Sequence, residues 1–182
     1  MANITLAVTG SISAYKAADL TSQLTKIGHQ VTVLMSRSAM DFITPLTLQS
    51  LSKNLVHTDV MIEENPTLIK HIDIAKETDV FLVAPASANT IAKLANGMAD
   101  NIITATALAL PIGTKKLLAP AMNTNMYLNP ATQENIKTLI EYGFEEIKPR
   151  EALLACGDFG IGALAEIDVI LNKVTEVLNE NK

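Results

Sequence analysis

Few residues in this chain are of a kind that does chemistry, and most of them fall in four short segments. The only cysteine, Cys156, lies in "LLACGDFGIGALAE" with Gly157, Gly160 and Gly162 around it. Such a segment reads either as a mobile lid carrying a reactive thiol or as a flexible loop with an idle buried one. Of the three histidines, His71 stands in "LIKHIDIAKETD", where Ile69, Ile72 and Ile74 are expected to look inward. Imidazole titrates near neutrality and can serve as a base, although a histidine beside an apolar face is also an ordinary packed residue. His29 and His57 have no better claim from their context.

Two further segments spend polar groups freely. "APASANT" places Ser87, Asn89 and Thr90 around Ala88, and "APAMNTNMY" places Asn123 between Met122 and Met126. One polar side chain suffices to cap a helix, so three of them, followed by a second A-P-A run ending in amides, point to one shared pocket. The plainer alternative for the second segment is a turn in which Asn123 bonds its own backbone and the methionines fill core gaps. In "VTGSISAYK", Gly10 permits a tight turn, and Ser11 and Ser13 offer hydroxyls and amides at a helix start, which suits a phosphate or merely begins the helix. Ser36 and Ser38 need no explanation beyond N-capping.

The elements that must position these groups alternate. "ITLAVTG", "QVTVLMS", "TDVFLVAPA" and "TKKLLAP" read as four buried strands. Between and after them come helices: "AYKAADLTSQLTKIG" closed by Gly28, "SANTIAKLANG", "NIITATALAL", "NPATQENIKTLIEYG" with Asn129 as N-cap, Pro130 at N1 and Gly143 as terminator, and "EIDVILNKVTEVLNE". "SAMDFITPLTLQSLS" is helical in pattern but must bend or restart near Pro45, which has no amide proton to give. Strands separated by helices imply a mostly parallel sheet with right-handed crossovers. In such a sheet ligands bind beyond the carboxyl ends of the strands, which is where the polar segments fall.

Composition agrees with one α/β domain over residues 1–182, without repeat or linker. Hydrophobic residues make up 48% of the chain and aromatics 4%, so the core is aliphatic. A formal charge of −5 with no basic block disfavours nucleic acid or an anionic membrane as partner. One cysteine cannot staple a fold, the N-terminus lacks a signal-peptide pattern, and no apolar run is long enough to cross a bilayer. A cytoplasmic protein is expected.

In this order and over nearly the whole chain, "GSISAYK", "HIDIA", "PASANT", "PAMNTNMY" and "ACGDFGIG" resemble the flavin-dependent cysteine decarboxylase family. Pro120, Met122, Asn123, Met126 and Tyr127 stand where that family has P-x-M-N-x-x-M-W, with Tyr in the Trp position. The resemblance implies a three-layer Rossmann-like flavoprotein fold, assembled as a homotrimer or a multiple of trimers such as a dodecamer, with flavin mononucleotide (FMN) near subunit contacts. By position, Gly10, Ser11, Ile12, Ser36, Ser87, Ala88, Asn89, Thr90 and Ala121 would surround the flavin. His71 would be the catalytic base, Asn123 would grip the substrate carboxylate beside Met126, Ala155 and Gly157, and Cys156 would supply a proton late in the reaction. No metal is implied.

The substrate implied is 4'-phosphopantothenoylcysteine, decarboxylated through a thioaldehyde to 4'-phosphopantetheine on the route to coenzyme A. Rival readings are a decarboxylase of a peptide's C-terminal cysteine, a flavin prenyltransferase, and a non-catalytic flavin-binding regulator. "ACGDFGIG" argues against the first two, and the presence of His71, Asn123 and Cys156 together argues against the third. Ala163 departs from the resemblance, which has Arg there. Lys115, Lys116, Lys148 and Arg150 are candidates to replace it by nearness in sequence. A stand-alone enzyme is expected, since little chain follows the last helix.

Overall fold

The computed structural model describes residues 1–62, 67 and 69–180. Strand β1 (Asn3–Val8) passes through a 3-10 turn, Ile12–Tyr15, into helix α1 (Lys16–Lys26) and strand β2 (Gln30–Met35). Helix α2 (Pro45–Ser52) leads to the short strand β3 (Val56–His57), and α3 (Lys70–Glu77) leads to β4 (Val80–Ala86). Helices α4 (Ala88–Ala95) and α5 (Ile102–Leu108) precede β5 (Lys115–Pro120). Helices α6 (Thr124–Leu128) and α7 (Pro130–Glu141) come next, followed by β6 (Phe144–Glu146). A hairpin of β7 (Arg150–Leu153) and β8 (Phe159–Ala163) then precedes the last helix, α8 (Ile167–Asn179).

Six strands pair in the order β3-β2-β1-β4-β5-β6, every pair parallel. Parallel neighbours require crossovers, and the crossover helices cover both faces, giving three layers. Alternation along β1 sends Ile4, Leu6 and Val8 to one face, where they meet Leu20 and Leu24 of α1 and Ile170, Val174 and Val177 of α8. Ala7 faces the other way, with Phe81 and Val83, towards Ile91, Ile103, Ile136 and Leu139. The α8 residues recur at spacings of four and three, the single stripe that an amphipathic helix buries.

The Rossmann-like reading holds, and several local expectations hold with it. Pro45 opens α2 at its first turn, so the chain restarts there after Ser36 caps a separate 3-10 turn, Arg37–Ala39. Gly28 and Gly143 follow their helices at φ +94° and +85°, left-handed positions where a side chain would be strained. Among the described residues the sheet has six strands where four were expected. The two additions, β3 and β6, are edge strands of two and three residues, too short to show a period. Ile69 does not look inward: it is 57% exposed, because it sits in extended backbone ahead of α3, whose buried stripe begins at Ile74.

The strand order reverses between β1 and β4. Their loops therefore part and leave a crevice at their carboxyl ends, the topological switch point where open α/β sheets bind ligands.

Candidate active site

Four segments meet over that crevice. The loop after β1 is fixed through Thr9, whose hydroxyl donates to the Pro85 carbonyl at 2.7 Å and accepts from the Ser87 amide at 2.8 Å. This buried side chain ties the Gly10 turn to the start of α4. Ser11 caps the 3-10 turn that follows, accepting from the Ser13 amide at 3.3 Å. Ser87 caps α4 through the Thr90 amide and also donates to the Thr90 hydroxyl at 3.2 Å. A Cβ at Gly10 would stand 2.5 Å from the Ser38 Cβ, so only glycine allows the two loops to approach this closely.

The third segment is α6. The Asn123 Oδ1 accepts from the amides of Asn125 at 2.9 Å and Met126 at 3.4 Å, capping the helix, while Nδ2 donates to the Cys156 Sγ at 3.4 Å. Asn123 is therefore both a local cap and a polar group that lines the crevice. Of the two methionines expected to fill core gaps in the plainer alternative, Met122 packs against the core and Met126 does not, being 50% exposed. Tyr127 anchors the same helix from below, its hydroxyl donating to Glu146 at 2.8 Å. Burial first, and the Glu146 carboxylate second, push this phenol up to about 12, so it remains a neutral donor at ordinary pH.

The β7–β8 hairpin supplies the fourth wall. Cys156 is exposed at its turn and donates to the Asp158 Oδ2 at 3.4 Å, which settles the idle-and-buried alternative against burial. The hairpin is pinned to the Asn123 loop by the Met122 amide donating to the Gly162 carbonyl at 2.9 Å. Gly162 has φ +144°, and a Cβ there would lie 2.2 Å from the Met122 oxygen. Gly160 packs as closely on Thr124, whose hydroxyl a Cβ would meet at 2.5 Å.

These walls enclose a cavity of about 480 Å³. Of the residues singled out in the sequence, Gly10, Ser11, Ile12, Ser87, Ala88, Ala121, Asn123, Met126, Ala155 and Cys156 line it. A second hollow of about 320 Å³ shares Gly10, Ser87, Ala88 and Met126 with the first and adds Ser36, Asn89 and Thr90. The two form one groove across the switch point. Gly157 sits in the hairpin turn at φ +90° and lines neither hollow. His71 also lines neither; it lies on α3, its Nδ1 buried with no hydrogen-bond partner among the described residues.

Thr9 and Lys16 escaped the sequence reading. Thr9 acts through a hydroxyl bonded to the backbone of the β4–α4 turn, which no sequence pattern announces, and Lys16 is an unremarkable first residue of α1. Of the four basic residues named as substitutes at position 163, only Arg150 reaches the cavity. Lys115 pairs with Glu180 at 3.0 Å, and Lys116 donates to the Tyr142 carbonyl, both at the start of β5 and so at the wrong end of a parallel strand. Lys148 is exposed and lines neither hollow. Among the described residues no group of three or more His, Cys, Asp or Glu could hold a metal ion, and no helix is long and apolar enough to cross a membrane.

Known proteins resemble this chain over nearly its whole length. A family model described as Flavoprotein matches residues 1–179. A "Probable phosphopantothenoylcysteine decarboxylase" of Streptococcus mutans is 59% identical over 175 residues, 96% of this chain and 98% of that protein. The "Coenzyme A biosynthesis bifunctional protein CoaBC" of Bacillus subtilis is 47% identical over 93% of this chain, which spans 41% of that longer protein. A solved PPC decarboxylase mutant complexed with pantothenoylaminoethenethiol superposes with TM-score 0.88 at 31% identity, covering 98% of both chains. "The FMN binding protein AtHal3" superposes with TM-score 0.84 at 31% identity over 100% of this chain and 98% of that one.

Proposed function

The chain belongs to the flavoprotein family, and on that footing we propose that it decarboxylates 4'-phospho-N-pantothenoyl-L-cysteine to 4'-phosphopantetheine, with FMN as cofactor, in coenzyme A biosynthesis. The 59% identity over almost the full length of both chains to a phosphopantothenoylcysteine decarboxylase carries this reading. The groove fits the cofactor. Its two hollows present the hydroxyls of Ser11, Ser36 and Ser87 and the amide of Asn89, and no carboxylate among the described residues lines either of them. Gly10, which lines both hollows, lets the loop after β1 close on the Ser38 loop beside them. Gly10, Ser11, Ile12, Ser36, Ser87, Ala88, Asn89, Thr90 and Ala121 would hold the flavin. Bound FMN supplies a reversible two-electron acceptor, so that the sulfur-bearing carbon of the substrate can become a thioaldehyde, the electron sink that loss of carbon dioxide requires.

The chain's own residues supply aim and protons. The Asn123 amide donates to the departing carboxylate without the fixed positive charge of a lysine, which would hold it back. Met126 and Ala155 pack the cysteinyl end from opposite walls, with the Gly157 turn behind them. Cys156 keeps its proton towards Asp158 and gives it up late, when the ene-thiolate needs an acid. The Leu153 and Leu154 side of the hairpin sheds water from the reactive intermediate.

His71 is the base of the proposed mechanism, and it stands outside the groove of its own chain. A second copy, in a trimer or a multiple of trimers, would bring it there. Exposed apolar residues support this: Ile12 and Leu153 line the groove, and Leu128 and Phe159, in the α6 and β8 elements, are exposed as well. An exposed, unpaired Cys156 suits the reducing cytoplasm.

Incubation of the flavin-loaded protein with 4'-phosphopantothenoylcysteine, followed by mass spectrometry, tests the reading. The expected product is 4'-phosphopantetheine with release of carbon dioxide. No product from flavin-loaded protein would reject it.

A further inference from the structure

The chain carries a net charge of −5, yet among the described residues the wall of the larger hollow carries two cations, Lys16 and Arg150, and no carboxylate. They come from different elements, the start of α1 and the start of β7. Both stand against one acid. The Glu166 Oε1 lies 2.9 Å from the Arg150 Nε, and its Oε2 lies 4.0 Å from the Lys16 Nζ. The Arg150 Nε–H is nonetheless buried and has no hydrogen-bond acceptor in line, so the pairing with Glu166 is ionic contact only. Arg150 is paired across the hairpin with Ala163. Directly opposed residues share a face of the ladder, so the methyl of Ala163 leaves the guanidinium room over the cavity.

We propose that Arg150, assisted by Lys16 and restrained by Glu166, is the determinant that recognises the phosphate monoester end of the substrate. This rests on the substrate reading above. A guanidinium is shaped for bidentate contact with phosphate oxygens, and two cations against one half-exposed carboxylate leave one positive charge in excess. The geometry assigns the ends of the substrate as well. Its carboxylate lies at Asn123 and Cys156, and its phosphate at the base of the hairpin, where β7 begins and β8 ends.

A phosphate monoester also belongs to FMN, and the two sources are separable. The smaller hollow has cations of its own, Arg37 and Lys93, beside Ser36 and Thr90. Arg150 lines only the larger hollow, and Arg37 and Lys93 line only the smaller.

Calorimetric titration of the flavin-loaded protein with 4'-phosphopantetheine and with pantetheine tests the proposal, run beside the mass-spectrometric product assay. The wild type is expected to bind the phosphorylated compound at least about tenfold more tightly. Arg150→Gln should lose most of that preference, whereas Glu166→Gln should increase it. A purely structural ion pair is broken equally by both substitutions and predicts changes in the same direction. Equal affinities in the wild type, a preference that survives in Arg150→Gln, or parallel changes in the two variants would each overturn the proposal. So would an Arg150→Gln protein that loses FMN but keeps riboflavin, which would assign the site to the flavin phosphate. A phosphate preference lost in Arg150→Gln together with no product from 4'-phosphopantothenoylcysteine would reject the reaction and leave the phosphate determinant standing.

Discussion

The carboxamide of Asn123 divides its two ends between fold and chemistry: Oδ1 caps α6 through two amides, and Nδ2 reaches the Cys156 sulfur. Substitution can separate these roles. Asn123→Asp keeps a capping oxygen, and a carboxylate at a helix N-terminus is a favourable cap. It loses the Nδ2 donor and sets a negative charge against the substrate carboxylate. We expect unfolding free energy within about 0.5 kcal/mol of wild type, because the cap survives, and turnover lower by about 100-fold or more. Asn123→Ala removes both ends and should cost about 1 kcal/mol of stability as well. Thermal unfolding beside steady-state kinetics checks the pair, and Asn123→Asp with substrate affinity intact removes Asn123 from carboxylate recognition.

At the scale of elements, the β7–β8 hairpin is the part that a single substitution can displace without disturbing the sheet. Its only main-chain bond to the Asn123 loop among the described residues is from the Met122 amide to the Gly162 carbonyl, and Gly162 sits with its α-carbon against Met122. Gly162→Ala must push the two backbones apart, at a cost of about 1–3 kcal/mol. The expected result is faster amide exchange across residues 150–163, with the exchange of β1 and β4 unchanged and turnover reduced; unchanged exchange in the hairpin would show that the contact does not hold it. The same hairpin explains where sequence reading stopped. The four long strands and their helices are legible because β1 and β4 are buried along nearly their whole length and α1, α4 and α8 carry clean stripes. The hairpin "REALLACGDFGIGA" has glycines where alternation would show, so it reads as a loop. Arg150 was a candidate by nearness in sequence alone, and its place in the cavity wall and opposite Ala163 came with the fold. Ser87, Asn89, Thr90 and Asn123 were legible because polar groups at the ends of apolar strands point to the crevice, whereas a role for Cys156 rested on the family resemblance.

For the whole molecule, the decisive fact is that the groove gathers Asn123 and Cys156 but not His71. In one chain the proposed acid lines the groove and the proposed base does not. A cyclic assembly would resolve this through a heterologous interface, if the His71 face of one copy met the groove of the next. Complementation then follows. Neither His71→Asn nor Cys156→Ser should turn over substrate alone, since each trimer of either kind lacks one group at every site. Mixed by co-expression in equal amounts, the two should regain about a quarter of wild-type activity, because a site built from two copies draws both intact residues in about one case in four. A site contained in one chain draws them in none, so the absence of any recovery in verified mixed oligomers would reject the shared site, and turnover by His71→Asn alone would place His71 outside the mechanism and return the search for the base to the groove itself.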